Sequence, residues 1–420
     1  MFKSILICVL TALLSLAMVA VPTQAVPDRP DIIVILTDDM RADDWQVLTE
    51  TERLVGGMWY PNFIYTTPLC CPTRATIQRG QYAHNTGIRT NQDGHLFSDL
   101  DDDTIATALD AAGYRTVYIG KFMNDYRSRA PGWDVWETRL GNPEVDDAGE
   151  DKDDGGEGKY WVGDDYSTDV IRDRAVGAIT QSPTDQPIFL FVGVHAPHTP
   201  AVPAPRHQDA DVAATPTRKD LDGQRKRTLL AVDEAVVAIA EAMGPRWEEA
   251  CVFVLSDNGY LVGEHETTGK SDWWDGATRV PLRSRCPGLG SGTDDRLVGT
   301  VDVAPTILRA AGATMQHDLD GRALQDAWDR EGILVESWDE QNAGHLRPAF
   351  SAIKGKDWLY VEVEGETPHF YRDPGEIEDV FDSLSEAEQV AYANWLATLR
   401  DCASEACRNT DEAHPLVPNP

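Results

Sequence analysis

Apolar, β-branched runs occur at residues 32–36, 116–119, 188–194 and 252–255, and each is followed at once by polar or glycine-rich sequence. Longer stretches with helical spacing lie between them, at 103–112, 167–180 and 224–243. Runs that are apolar throughout, rather than alternating, predict strands covered on both faces. Their alternation with helices predicts a largely parallel sheet. From Arg347 the texture changes. Segments 350–353, 358–363 and 369–371 predict short antiparallel strands, joined by turns such as Glu364-Gly365-Glu366, and 385–400 predicts a helix. The expected fold class is α/β: a large, mostly parallel sheet sandwiched by helices, with a small C-terminal antiparallel sheet.

The polar residues that end the four runs are the informative ones. Asp38 and Asp39 follow the first, Lys121 the second, His195 and His198 the third, and Asp257 and Asn258 the fourth. In open α/β sheets the carboxyl edge of the strands is where ligands bind. Three carboxylates and an amide suit one hard divalent cation, Ca2+ before Mg2+, whereas zinc attracts His or Cys. In Cys70-Cys71-Pro72-Thr73-Arg74 the proline fits the first turn of a helix, where no amide donor is needed. Cys70 then lies at a helix N-terminus, whose dipole favours an anion. Each feature also has an ordinary reading: a helix cap for Asp38-Asp39, a turn for Asp257-Asn258-Gly259, and a structural thiol or vicinal disulfide for Cys70-Cys71.

Composition sharpens this picture. The chain has 420 residues, 42% of them hydrophobic, enough for one dominant α/β core. Residues 1–25 carry Lys3, an apolar run at 5–21, and Thr23-Gln24-Ala25, the pattern of a signal peptide, with an uncleaved anchor as the alternative. No later segment is long and apolar enough to span a bilayer. The formal charge is −33, and cleavage would remove only Lys3. So acidic a surface disfavours nucleic acid and anionic lipid. An anionic substrate would need local cations, for which Arg74, Lys121 and Lys270 are the candidates. The acidic stretch 146–157 lacks EF-hand spacing and reads as a solvated loop, and 409–420 as a frayed tail.

Taken in order and spacing, segments 29–41, 70–87, 120–126, 195–200, 256–270 and 279–282 resemble the type I sulfatases of the alkaline phosphatase superfamily. Gly120-Lys121-Phe122-Met123-Asn124-Asp125-Tyr126 and Ala196-Pro197-His198 are similar to the branch containing N-acetylglucosamine-6-sulfatases and arylsulfatases. The resemblance implies a catalytic domain at 26–345 and a C-terminal subdomain at 346–408. It also implies that a formylglycine-generating enzyme oxidises Cys70 within C-x-P-x-R, and that one hydroxyl of the aldehyde hydrate attacks sulfur while the other later expels sulfate. Arg74 would hold the hydrate, Lys121 and Lys270 would grip sulfate oxygens, and His198 would serve the leaving oxygen, with His195 a structural neighbour. Asp38, Asp39, Asp257, Asn258 and the oxygen derived from Cys70 would bind the cation. A Cys402–Cys407 disulfide is implied too, leaving Cys71, Cys251 and Cys286 to supply one bridge and one thiol in an open pairing.

One departure stands out: Met123-Asn124 replaces the histidine that many sulfatases carry two residues beyond the lysine, so the group that deprotonates the hydrate is left open. His84, Asn85 and His265 could line a substrate subsite or pack locally, and Trp273 and Trp274 could stack on a sugar or fill core. The expectation is a secreted sulfuric ester hydrolase acting on a sulfated sugar or aryl sulfate. The alternatives are a phosphonate monoester or phosphodiester hydrolase of the same superfamily and an inactive carbohydrate-binding relative. The alcohol half of the substrate, exo or endo action, and oligomeric state are not encoded in these motifs.

Overall fold

The structure, a computed structural model, describes residues 29–138, 160–280, 282–338, 348–373 and 375–413. The expected signal peptide, the acidic loop at 146–157 and residues 414–420 of the expected tail lie outside the described residues, whereas residues 409–412 of that tail are not frayed but belong to helix Glu405–Glu412, where Asp411 is buried.

The four central strands form within a residue of their expected bounds. Cys251–Ser256, Ile32–Thr37, Ile188–Gly193 and Arg115–Gly120 lie side by side and parallel, continued by Val135–Glu137. Every residue of the first three is buried, which explains why their sequences show no alternation. The opposite flank is mixed: Leu282–Arg285 runs antiparallel to Cys251–Ser256, then Met58–Tyr60 and Gly292–Thr293 complete eight strands. Leu282–Arg285 alternates buried and half-buried positions, the pattern of a strand near an edge. A disulfide, Cys251–Cys286, joins these two antiparallel neighbours and settles the open pairing, with Cys71 the thiol.

Helices Ser167–Gln181 and Lys219–Met243 pack on each other, and Cys70–Arg79, Ile105–Ala111 and Val303–Ala311 form a second group. Lys219–Met243 starts five residues before the expected 224. Asp220 and Asp222 favour the first turn, and Asp222 also accepts from the Thr215 amide at 2.7 Å. No helix among the described residues is long and apolar enough to cross a membrane.

The C-terminal sheet is an antiparallel meander of Ile333–Ser337, Phe350–Lys354, Leu359–Val363 and His369–Tyr371. Its first strand lies upstream of the change of texture at Arg347. Alternation splits its side chains between two cores. Leu334, Ile353, Tyr360 and Phe370 meet Tyr392, Trp395 and Leu396 of helix Glu386–Arg400. Ile333, Val335, Phe350, Leu359 and Val361 face Ile64, Leu297, Trp273 and Trp274 of the larger unit.

Arg330 joins the two units from a wholly buried position, with Nη1 2.7 Å from Asp302 Oδ2 and Nε 2.7 Å from Asp411 Oδ2. Arg330→Met would leave two buried carboxylates without their main partner. We expect it to cost about 3–5 kcal/mol, read as a lower urea midpoint. A wild-type midpoint would show that the network contributes nothing to stability.

Candidate active site

Register brings the scattered motifs to one edge. Thr37 pairs with Ser256, so Asp38-Asp39 and Asp257-Asn258 leave neighbouring strands side by side. The Asp257 amide donates to Thr37 O at 3.1 Å, and the Asp39 amide donates to Asp257 Oδ1 at 3.1 Å. Asp39 has φ 70°, a left-handed conformation that costs a non-glycine residue about 1–2 kcal/mol. On the other side, Gly120 and Gly193 pair so closely that a Cβ on Gly120 would lie 1.9 Å from Gly193 O. That approach lets the Lys121 amide donate to Gly193 O at 2.8 Å and turns Lys121 into the site.

Helix Cys70–Arg79 delivers the remaining groups. All ten of its residues are buried, Pro72 lies in its first turn, and left-handed Gly80 ends it. Cys70 Sγ lies 3.5 Å from Asp38 Oδ1 and 2.8 Å from Lys270 Nζ. One turn on, Arg74 Nε donates to Asp257 Oδ2 at 2.9 Å and Nη1 to Lys121 O at 2.7 Å.

Asp38, Asp39, Asp257 and Cys70 each offer a ligand atom within 4.8 Å of the others, all buried. Lys121 Nζ stands 2.5 Å from Asp38 Oδ2, and Lys270 Nζ 2.6 Å from Asp39 Oδ1. Burial alone would push all three carboxyls up. Lys121, His198, Lys270 and Arg74 outweigh it at Asp38, which is held well below the usual range, and Lys270 and His198 do so at Asp39. At Asp257 burial, reinforced by the Asp38 charge, prevails, and its pKa is raised. Burial and Asp257 also lift the Cys70 thiol well above its ordinary value, against the pull of Lys121 and Lys270. An unconverted Cys70 is therefore a neutral, poorly nucleophilic thiol at neutral pH.

Within the cluster, Asp39 Oδ2 and Asn258 Oδ1 are buried oxygens without a hydrogen-bond partner. Asn258 Nδ2 donates to Asp39 Oδ1 at 2.6 Å and to Gly259 O at 2.8 Å, which fixes the amide with its oxygen unused. Buried acceptors are rarely left unpaired. With three carboxylates around them, they fit a hard divalent cation. Arg74 Nη2 is likewise a buried donor without a partner. His198 Nδ1 donates to Thr199 O at 2.5 Å, and Nε2 lies 3.7 Å from Asp39 Oδ2, so Nε2 is the ring atom facing the carboxylates.

Other expected candidates lie elsewhere. His84 bridges Glu336 and Cys402 O, each at 2.9 Å, and Asn85 reaches Asp320 and Cys402 O, so both fasten the C-terminal unit through the turn closed by the Cys402–Cys407 disulfide. Trp273 packs on Phe350 and Trp274 on Tyr371, with His265 stacked on Trp274 at 3.8 Å. These half-buried rings line the junction between the units. Met123 is buried, and the Asn124 amide donates to Cys71 Sγ at 3.2 Å. Arg225, reaching Asp39 O and Pro197 O from helix Lys219–Met243, is a neighbour that no motif signalled.

A sheet edge that gathers a hard-cation cluster beside fixed cations suits a metal-dependent hydrolase of anionic esters. The particular assignment comes from the sulfatase family model, which matches residues 30–313: the chain belongs to the sulfatase family. It is 28% identical to human N-acetylglucosamine-6-sulfatase over 70% of this chain and 64% of that one. To the arylsulfatase of Volvox carteri it is 27% identical, over 95% and 78%. To the putative extracellular sulfatase Sulf-1 homolog of Caenorhabditis elegans it is 29% identical over 71% of this chain, which spans about half (49%) of that relative's length. Its fold is shared by a protein solved with its substrate D-glucosamine-2-N,6-O-disulfate (TM-score 0.75, 19% identity, 91% and 99% covered). It is shared too by the phosphonate monoester hydrolase of Agrobacterium radiobacter (0.70, 19%, 89% and 95%).

Two outcomes follow for thiols and pH. With burial pushing Cys71 up to about 12 and Cys70 well above its ordinary value, the unconverted native chain should resist iodoacetamide at neutral pH. Denaturation without reduction should then expose both thiols, with Cys251–Cys286 and Cys402–Cys407 intact by peptide mapping. At His84, burial favours loss of the proton, but Glu336 and Cys402 O hold it and raise the pKa. The stabilisation is full below the ordinary histidine value and is lost as pH rises through the raised one. Thermal midpoints across that window should fall less steeply in His84→Gln.

Proposed function

We propose that the protein is a secreted sulfuric ester hydrolase that cleaves sulfate monoesters of sugars or aryl alcohols. The observation that carries the reading is the convergence of Cys70, three carboxylates, Arg74, Lys121 and Lys270 at one strand edge.

Asp38, Asp39, Asp257 and Asn258 would hold the cation, with Ca2+ favoured because it accepts many oxygen ligands in flexible geometry, whereas Mg2+ prefers to keep its waters. The bound ion would neutralise charge on sulfate and on the attacking oxygen. Converted to formylglycine during maturation, Cys70 would supply a hydrate with one hydroxyl to attack sulfur and a second through which sulfate is expelled as the aldehyde reforms.

The other side chains orient and move protons. Lys121 and Lys270 flank Cys70 and the carboxylates, placed to grip equatorial sulfate oxygens where charge develops. Arg74 is held by Asp257 and two backbone carbonyls and has Nη2 to spare for the hydrate. His198, fixed through Nδ1, presents Nε2 to the leaving oxygen. With Met123 packed in the core, deprotonation of the hydrate falls to another group or to water.

The names of the relatives support a sulfated-sugar or aryl-sulfate substrate. The leader-like sequence at 1–25 and the two disulfides support an oxidising, extracellular setting. Hydrolysis of phosphonate monoesters or phosphodiesters is the second reading, favoured by the shared fold of the Agrobacterium enzyme.

The test compares kcat/KM for matched aryl sulfate, phosphonate monoester and phosphodiester, using converted mature protein with Ca2+. We expect the sulfate to dominate, Cys70→Ala to lose turnover with an unchanged melting curve, and Asp257→Ala to lose both Ca2+ binding and turnover. A dominant phosphonate or phosphodiester rate would move the function to the second reading. Substantial turnover in Cys70→Ala would falsify the nucleophile assignment.

A further inference from the structure

Arg225 lies within helix Lys219–Met243 with its side chain wholly buried. Its guanidinium meets three of the loops that flank the carboxylate cluster. Nη2 donates to the backbone oxygen of Asp39, and Nη1 donates to Pro197 O at 3.2 Å, one residue before His198. The same group lies over the ring of Tyr260, two residues past Asn258, at 4.4 Å. Its countercharge is Asp44, 3.4 Å away and also fully buried.

We propose that Arg225 is a positioning residue that sets the placement of Asp39, Asn258 and His198 relative to one another. The inference rests on the cation site proposed above. Asp39 is left-handed where its side chain joins the cluster, and capture of its carbonyl by Arg225 holds that backbone in place. Pro197 O and Tyr260 are gripped by the same rigid plane, so a shift of one loop is passed to the other two. Burying a guanidinium is costly unless it is well paired, and along the same helix Leu229, Val232 and Val236 fill buried positions with apolar side chains. Two carbonyls, a carboxylate and an aromatic face are the partners a planar fork satisfies at once and a lysine ammonium does not.

The test measures Ca2+ affinity by calorimetry on the full mature chain with unconverted Cys70, alongside kcat and KM of the converted enzyme. Arg225→Met should weaken Ca2+ binding roughly ten- to a hundredfold and lower kcat more than it raises KM. Arg225→Lys should recover only part of either loss. Lys226→Met is the control: Lys226 is equally buried on the same helix but pairs with Asp43 and Asp222, and its loss should lower the melting temperature with Ca2+ affinity unchanged. Wild-type Ca2+ affinity in Arg225→Met, or an equal loss in Lys226→Met, overturns the proposal. If Arg225→Met does not melt cooperatively, Arg225→Lys decides: weaker binding supports the role and unchanged binding overturns it. A parent chain that binds no Ca2+ overturns the proposed cation site and this inference together, whereas unchanged binding in the variants strikes Arg225 alone.

Discussion

Mutual repulsion among three buried carboxylates is the constraint on which the rest of this structure depends. Asp38, Asp39 and Asp257 come within 4.8 Å of one another through their ligand atoms, with no exposure to water. Even with the interior screening that proteins usually provide, each pair at such a distance opposes folding by roughly 3–4 kcal/mol. Arg74, Lys121 and Lys270 answer the charge one for one, and each arrives from a different part of the chain. Helix, strand end and loop must all be in place before the cluster is tolerable, so the site is a keystone of the fold rather than an addition to it. The raised pKa of Asp257 marks where the balance is least complete.

This explains which parts were readable from sequence. The central strands announce themselves because a parallel sheet covered on both sides leaves few polar positions, and three of them are followed at once by a residue of the clustered edge: Asp38, Lys121, Asp257. Cys70 is legible through the resemblance of Cys70-Cys71-Pro72-Thr73-Arg74 to the C-x-P-x-R sequence of the sulfatases, while Pro72 marks only the first turn of its helix. Arg225 is not, because an arginine within an amphipathic helix has the same pattern whether it faces solvent or a carbonyl cage. The pairing of Cys251 with Cys286 depended on the antiparallel direction of Leu282–Arg285, which periodicity does not encode. Trp273 and Trp274 read two ways for a similar reason: ring type says nothing of which face is covered, and each packs on Phe350 or Tyr371 while staying half-buried.

The C-terminal sheet is more than a covering. Buried Lys354 donates to Trp273 O at 2.9 Å and pairs with Asp275 and Glu376, each at 2.7 Å. Those contacts fix the segment that follows Lys270, where Ser271 is left-handed with φ 63°. One of the cations that balances the carboxylates therefore depends on a sheet formed by the last quarter of the chain. A truncation there should be felt at the strand edge as well as in overall stability.

On the proposed function, the burial of helix Cys70–Arg79 would also impose an order of events on biogenesis. Cys70 is 1% exposed, and Pro72 and Arg74 are enclosed with it. A modifying enzyme that reads these residues as an extended peptide cannot reach them in the finished molecule. Conversion and folding would then compete for the same segment, and whichever is faster would decide the fate of each chain. A molecule that folds first would be sealed with a buried neutral thiol at Cys70, well formed and, on that proposal, idle. The active fraction of a preparation would then be fixed by timing during synthesis, and no later treatment of the native protein would raise it.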